Sequence, residues 1–355
     1  MGQICDSLDI YQKIQKKTLD NNILFRADWD LTSRCNLKCV HCYQVESLPE
    51  EELSFDKICS VIDQLVSLNC LTLTFTGGEI FLRHDFFDIA RYARKKEFAL
   101  VLFTNGTLID EEMAEKIKEI SPLSVHMSLY GMNAQIHDKI TQVPGSFVRT
   151  MNAFKLLKKR SVTTTVKFTV MKDNLGEFDN LKEFAKKEGL RFLFSCAIIP
   201  KINGCKEVLS NRLNEGQLKY FFSLHPDIVK GIRKGGVRVY KPLCAAGVNT
   251  LFISSCGEVF PCVALRQCCG NVRETSLDEI WNSRAFEKIR NITFEDLKYC
   301  RDCEFSYYCD RCNGSALLEG RDLLGCCDND YILAKVRKWA VESMGQKAER
   351  IEQSV

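Results

Sequence analysis

The chain has no apolar run near the ~20 residues that a membrane-spanning helix needs, which excludes a helical span. Its opening residues, MGQICDSLDIYQKIQKK, lack the apolar core of a secretory signal. An excess of one charge is missing too. Lys and Arg number 49 against 46 Asp and Glu, leaving +3 at pH 7. That is too little for the concentrated basic face of a nucleic-acid binder. Prolines number only 7, and there is no Pro-rich linker, low-complexity tract or internal repeat. With 45% hydrophobic and 27% charged residues, the composition is that of an ordinary globular protein, and disorder is excluded as the main state. A length of 355 residues suggests about two domains.

Cysteine is what the chain has in excess, 19 in all. Three fall at 35–42 and eleven between 244 and 327. A long chain, an odd count and no secretory signal argue against a disulfide framework. Clusters at short spacing point instead to metal, in a reducing cytoplasm.

Strand-like runs near 26–32, 71–76, 99–104, 124–129, 162–171 and 190–196 alternate with helical patterns. The helices are predicted near 54–69, 85–97, 110–120, 146–160 and 177–188. Ser54 is a suitable N-cap, with Ile58, Val61, Ile62 and Leu65 as an apolar stripe. Six βα units in series imply a parallel sheet or barrel. Residues 197–243 form a Gly- and Pro-containing bridge with one helix near 214–223. LFISSCGEVFPC reads as a hairpin turning at Ser255-Cys256-Gly257. A helix starts after Ser276, where Glu279 completes a capping box. A cysteine-dense loop region covers 300–327, and a last helix runs from about 329 to 345. The expected division is an N-terminal extension at 1–24, a barrel with its bridge at 25–235, a cysteine-rich domain at 236–330, and a C-terminal helix and tail at 331–355.

Directly after the first strand comes Cys35-x3-Cys39-x2-Cys42-Tyr43. Three thiolates on one tight loop can hold three irons of a cubane and leave the fourth iron open. A structural zinc site would want four ligands, and His41, between two of the thiols, is predicted to point away. Gly77-Gly78-Glu79 comes after the second strand, Thr104-Asn105-Gly106 after the third, and Ser128 ends the fourth in HMSLYG. In this order, at successive strand ends, the cysteine motif and these turns resemble the radical S-adenosylmethionine (SAM) superfamily, although Ile80 stands where the family usually has Pro. His137-Asp138-Lys139 through Phe147 also resembles this branch. The resemblance implies an α/β fold, a partial (β/α)6 TIM-type barrel over about 25–200. It implies a SAM-binding 4Fe–4S cluster on Cys35, Cys39 and Cys42. Tyr43, Gly77, Gly78, Glu79, Thr104, Asn105 and Ser128 become the SAM-site candidates, with the Glu79 carboxylate complementing the ammonium of the methionine moiety.

Period-two alternation adds candidates on its own. Val125, Met127 and Leu129 alternate with His126 and Ser128, and Val166, Phe168 and Val170 with Lys167 and Thr169. The polar set should face the lumen. Asp30, Thr32, Thr74, His126, Ser128 and Lys167 are therefore lumen candidates, His126 and Lys167 with catalytic potential. Cys196 ends the sixth strand, where a thiol could donate a hydrogen atom, but its parity groups it with Phe192 and Phe194.

Cys244, Gly257 and Cys262, then Cys300-x2-Cys303-x5-Cys309-x2-Cys312 and Cys326-Cys327, resemble the SPASM extension behind many radical SAM barrels. Paired CxxC spacing alone would also allow a zinc ribbon. The resemblance implies two auxiliary 4Fe–4S clusters. Cys244, Cys262 and Cys312 would hold the first, with Cys256 a candidate fourth ligand. Cys300, Cys303, Cys309 and one of Cys326 and Cys327, here Cys327, would hold the second.

The implied activity is reductive cleavage of SAM to a 5′-deoxyadenosyl radical that abstracts hydrogen from a substrate. The expected substrate is a ribosomally made peptide receiving a crosslink, thioether or epimer. Only about 25 residues precede the barrel, so leader recognition would need a separate protein or none. A flavodoxin- or ferredoxin-type reductant is implied, and neither nucleic acid nor membrane. The alternatives are a sulfatase-maturing enzyme, disfavoured because Val263 stands where those relatives carry a basic Asp, a small-molecule oxidase or cofactor-maturing enzyme, and a non-catalytic iron–sulfur scaffold.

Overall fold

A computed structural model describes residues 12–45, 51–229 and 243–352. Six parallel strands form the sheet: β1 (Arg26–Thr32), β2 (Thr72–Gly77), β3 (Ala99–Thr104), β4 (Ser124–Ser128), β5 (Thr164–Thr169) and β6 (Arg191–Ser195). Helices cross over between them: α1 (Phe55–Ser67), α2 (Phe86–Lys95), α3 (Glu111–Glu119), α4 (Ala134–Thr141), α5 (Ser146–Lys159) and α6 (Phe178–Glu188). The strands and all but α4 lie where the alternation predicts. Helix α4 is short, and its polar composition hides it.

The sheet does not close. Its order is β6-β5-β4-β3-β2-β1-β7-β8-β9. β7 (Thr250–Ile253), β8 (Glu258–Phe260) and β9 (Gly270–Asn271) come from the cysteine-rich segment. The predicted hairpin is β7–β8, and β7 pairs in parallel with β1, Trp29 opposite Ile253. The barrel and the cysteine-rich region therefore share one continuous sheet. The boundary expected near 235–243 lies, except for residue 243, outside the described residues, as does Cys5.

The outer face of the sheet holds the core. Val125, Met127 and Leu129 on β4 and Val166, Phe168 and Val170 on β5 are all buried in one cluster with Trp29 and Phe75. Ile58, Val61, Ile62 and Leu65 bury the predicted stripe of α1, and Ser54 caps it by accepting from the Lys57 N–H. Further on, α7 (Glu215–Leu224) packs on the last helix (Asp328–Glu352), joined by the Lys335–Glu215 ion pair at 2.8 Å. Ser276 and Glu279 make the expected capping box at the start of α8 (Leu277–Trp281). Ser283 then caps a second helix, α9 (Arg284–Arg290). No helix among the described residues is long and apolar enough to cross a membrane.

Arg83 ties the site end of the sheet together. Its guanidinium donates to the carbonyls of Leu31 at 3.1 Å and Leu53 at 2.8 Å, and forks onto Asp85 at 2.7 and 3.0 Å. It is only 6% exposed, so removing it strands buried acceptors and a carboxylate. Arg83→Ala is expected to destabilise the fold by about 3 kcal/mol, measured as a lowered urea midpoint at unchanged slope.

Candidate functional site

The three cysteines of the first loop sit above the carboxyl ends of β1–β3, where barrel chemistry is placed. Two glycines put them there. A Cβ on Gly77 would lie 2.2 Å from the Thr32 carbonyl oxygen, and one on Gly78 would lie 2.1 Å from that of Arg34. No side chain fits, and Gly77 also adopts φ +136°. The close approach is sealed by Gly78 N–H donating to the Thr32 carbonyl and Glu79 N–H to the Arg34 carbonyl, both at 2.8 Å. Cys35 is the next residue.

Glu79 continues the lock toward β3. Its carboxylate accepts from Thr104 Oγ1 at 2.7 Å, the Asn105 N–H at 2.8 Å and the Phe81 N–H at 3.3 Å. It is wholly enclosed, and burial pushes its carboxyl up to about 7. The side chain reaches the site through Thr104 and Asn105. Asn105 in turn donates to Asn36 at 2.8 Å and lies 4.0 Å from Cys35 Sγ.

Cys35, Cys39 and Cys42 are brought together. They line one cavity of about 580 Å³ with Gln44 and Lys201. Burial, and then Cys42 and Cys35, pushes the Cys39 thiol well above its usual value. The Leu37 N–H donates to Cys35 Sγ at 3.4 Å. His41 does point away, packing edge-on to Tyr130 at 4.9 Å. Tyr130 is a site residue that the sequence reading does not single out, although two-residue periodicity carries the lumen face from Ser128 to it. Its phenol lies beside Ser128 and all three thiols, and burial raises it well above its usual range.

The lumen holds the predicted polar set. Asp30, Thr32 and Thr74 are buried, and Gln44 donates to Asp30 at 2.6 Å. Burial pushes Asp30 up to about 6 despite nearby Arg266. Lys167 Nζ stands 3.7 Å over the Phe103 ring, and His126 stacks on the same ring at 4.9 Å. Burial lowers Lys167 to about 8 and, with Lys167 adding to it, His126 to about 4. Tyr43 is half-buried near Asp30, Arg266 and Cys42. Cys196 instead packs against the main apolar cluster, as do Phe192 and Phe194, and burial holds its thiol at about 12.

The later cysteines form two groups. Cys262 lies within electrostatic reach of Cys312 and Cys244, so Cys312 leaves its CxxC partner and joins the earlier pair. Backbone N–H groups of Leu265 and Ser315 donate to Cys262 and Cys312 at 3.3 and 3.4 Å. Cys300, Cys303, Cys309 and Cys326 line a second cavity of about 640 Å³. Neighbouring thiols are the donor set that iron–sulfur clusters take: the first group adds N–H···S bonds, and in the second Cys326 lies near Cys300 and Cys303, and Cys309 near Cys300 and Cys326.

The structure places two of the ligand candidates apart from these groups. Cys256 occupies the turn of the β7–β8 hairpin, whereas Cys244 precedes β7 and Cys262 follows β8. It is therefore at the opposite end of the hairpin and cannot join their group. Its carbonyl accepts from Arg273 Nε at 3.0 Å. Cys327 is buried and turned to Asp330 and Glu319, while its neighbour Cys326 faces Cys300 and Cys303. The start of the last helix at Asp328 sends these adjacent thiols in different directions.

This geometry has two measurable consequences. In Cys326→Ala the iron content and the ~400 nm absorbance of the anaerobically reconstituted protein should fall by about a third if three clusters are bound, while Cys327→Ala keeps both. For Glu79, a folded value of about 7 against 4.5 unfolded means a contribution fully present below pH 4.5 and lost as pH rises through 7. It amounts to about 3 kcal/mol. Thermal melts of the apoprotein between pH 4.5 and 8 should show that decline, and Glu79→Gln should lack it.

Comparison with known proteins agrees with this arrangement. Residues 29–185 match the model of the radical SAM superfamily, and residues 244–304 that of an iron–sulfur cluster-binding domain, SPASM. An AdoMet-dependent heme synthase of Methanosarcina barkeri is 32% identical over 326 residues, 83% of this chain and 93% of that protein. The antilisterial bacteriocin subtilosin biosynthesis protein AlbA of Bacillus subtilis is 28% identical over 326 residues, 88% of this chain and 70% of that one. Streptococcus suis SuiB bound to S-adenosylmethionine shares the fold, with a TM-score of 0.68 at 16% identity, over 94% of this chain and 83% of that one. SuiB has also been solved with its precursor peptide SuiA. With these matches on top of the site's geometry, the chain belongs to the radical SAM superfamily and carries a SPASM iron–sulfur domain.

Proposed function

We propose that this radical SAM/SPASM enzyme abstracts hydrogen from a peptide or protein substrate, received at the open mouth above Cys35, Cys39 and Cys42. Those three thiolates hold the 4Fe–4S cluster at which SAM binds. Cys244, Cys262 and Cys312 hold one auxiliary cluster, and Cys300, Cys303, Cys309 and Cys326 a second. When bound, the first cluster and SAM together supply one-electron cleavage of the sulfonium and hydrogen-atom abstraction. The chain's own groups do the rest. Glu79, Thr104 and Asn105 fix the cluster loop. Tyr130 and His41 wall it from water. Lys167, lowered to about 8, can hold or release a proton near neutrality, and His126 beside it stays neutral. Residues 25–235 act as the SAM-binding unit and 236–330 as the auxiliary-cluster unit. A flavodoxin- or ferredoxin-type protein supplies the electron.

The observation that carries the peptide reading is the open sheet. β6 ends the parallel sheet, with Leu193 51% exposed, so a chain segment can enter from the side without threading. AlbA, a bacteriocin biosynthesis protein by name, supports it. The second reading, a tetrapyrrole substrate, is favoured by the 32% identity to a heme synthase.

The test is anaerobic reconstitution with SAM and dithionite, measuring 5′-deoxyadenosine. Parent protein should form it and Cys42→Ala should not. Peptides encoded beside the gene should raise the rate at least about tenfold and change mass. Stimulation by iron coproporphyrin III and by no peptide would hand the assignment to the tetrapyrrole reading.

A further inference from the structure

Among the described residues, Asp30 and Arg266 are the charged side chains left with buried polar atoms lacking any hydrogen-bond partner. They are of opposite sign and within electrostatic reach of each other. Both belong to the lumen. Asp30 is on β1, 4% exposed, with one oxygen held by Gln44 and Oδ1 free. Arg266 comes four residues after Cys262. Its guanidinium packs over Phe252 and Phe260, 4.6 and 5.0 Å from the ring centroids, which fixes its plane. Phe252 stands beside Asp28 on β1, so this aromatic floor adjoins the row that carries Asp30.

The free atoms of Arg266 are Nε and Nη2. Together they form one edge of the guanidinium, the fork that matches the two oxygens of a carboxylate. The free Asp30 Oδ1 accepts, so it calls for an N–H. Buried polar atoms in native structures have partners, and a charged fork without one implies a ligand that brings it.

We propose that Arg266 and Asp30 form a two-point anchor for a substrate carboxylate flanked by an amide N–H. Arg266 takes the carboxylate through Nε and Nη2, and Asp30 Oδ1 accepts the N–H. A peptide offers this grouping at its C-terminal residue or at an acidic side chain. The anchor rests on the peptide reading and deepens it: it sets which end or residue of the peptide lies over the aromatic floor and thereby positions the hydrogen that is removed. Arg266 is a substrate-binding residue in this assignment, and SAM makes no use of it.

The holoenzyme, clusters assembled and SAM bound, is titrated anaerobically by calorimetry with N-acetylglycine, N-acetylaspartic acid α-amide and N-acetylglycinamide. At least one of the two carboxylates should bind, N-acetylglycine if the C-terminus is the source and the aspartyl compound if the side chain is. The diamide should bind at least about tenfold more weakly. Arg266→Gln should weaken the carboxylate about tenfold or more. Arg266→Lys, which keeps the charge and loses the fork, should restore only part. Asp30→Asn should weaken it a few-fold. Iron content and SAM affinity should be unchanged in the arginine variants. If the Gln variant loses iron, the Lys variant alone decides. Equal binding of carboxylate and diamide, or binding indifferent to both arginine variants, overturns the anchor. Loss of SAM affinity in Arg266→Lys also overturns it, by assigning the fork to SAM. The two readings fail separately. A protein that binds N-acetylglycine but answers to no peptide loses the peptide reading and keeps the anchor. One whose turnover a peptide stimulates with unchanged KM in Arg266→Gln keeps the reading and loses the anchor.

Discussion

The arrangement of the site depends on one close contact, the backbone of Gly77-Gly78 pressed against that of Thr32–Arg34. A cluster loop must hold three thiols in fixed relation, yet it is an irregular stretch after a strand, where the chain has few hydrogen bonds of its own. Here the order is borrowed from the neighbouring strand. The contact admits no Cβ, it is closed by two 2.8 Å backbone hydrogen bonds, and it ends one residue before Cys35. From there Glu79 passes the constraint to Thr104 and Asn105, and Asn105 passes it back to Asn36. Three successive strand ends are thus bound into one ring around the thiols. A buried Glu at the centre of such a ring is costly, and its raised carboxyl value reflects that cost. The gain is a rigid loop with no side chain in the place the cofactor needs.

The same logic explains why the cysteine-rich region is not a loose appendage. β7 lies beside β1, so the hairpin that leads to Cys262 is in register with the strand that leads to Cys35. Any shift of one is a shift of the other. Arg273 reinforces this at the turn, donating to the carbonyls of Cys256 and Glu51, and the Leu53 N–H donates to Ser255 at 2.8 Å. Cys256, from sequence either a candidate ligand or a turn residue, takes part in this brace through its carbonyl. The distance between the thiol groups is therefore set by a sheet, which is suited to holding centres in a fixed relation.

Much of this was legible in the sequence for a physical reason. Strand parity depends only on residues two apart, so the alternation of Val125, Met127 and Leu129 with His126 and Ser128 announced the lumen directly. The cap of α1 and the capping box at Ser276 are equally local. What stayed hidden is what distant segments create. Nothing near Arg83 says that it will reach Leu31 and Leu53, and nothing near Arg266 says that a hairpin will carry it beside Asp30. Cys326 and Cys327 are adjacent and chemically identical, and only the start of the last helix separates them. Tyr130 is the intermediate case, since its register is local while its neighbours are not.

Arg266 also bears on how the lumen is built. The polar groups there are unevenly satisfied: Asp30 has Gln44 on one oxygen and nothing on the other, His126 has a buried Nδ1 without a partner, and Lys167 faces a ring. The cluster loop a few residues away is held by Glu79 and Asn105, although His41 Nδ1 within it is likewise buried without a partner. The glycine contact and its hydrogen bonds fix the backbone of that loop, while the charged atoms left open belong to Asp30 and Arg266, a division of two tasks. The cofactor side is rigid before anything binds, and the lumen is completed by what enters it. In a radical enzyme that division has a consequence. Unsatisfied groups are filled only when the substrate is in place, so the polar contacts that position a substrate hydrogen form together with the exclusion of water.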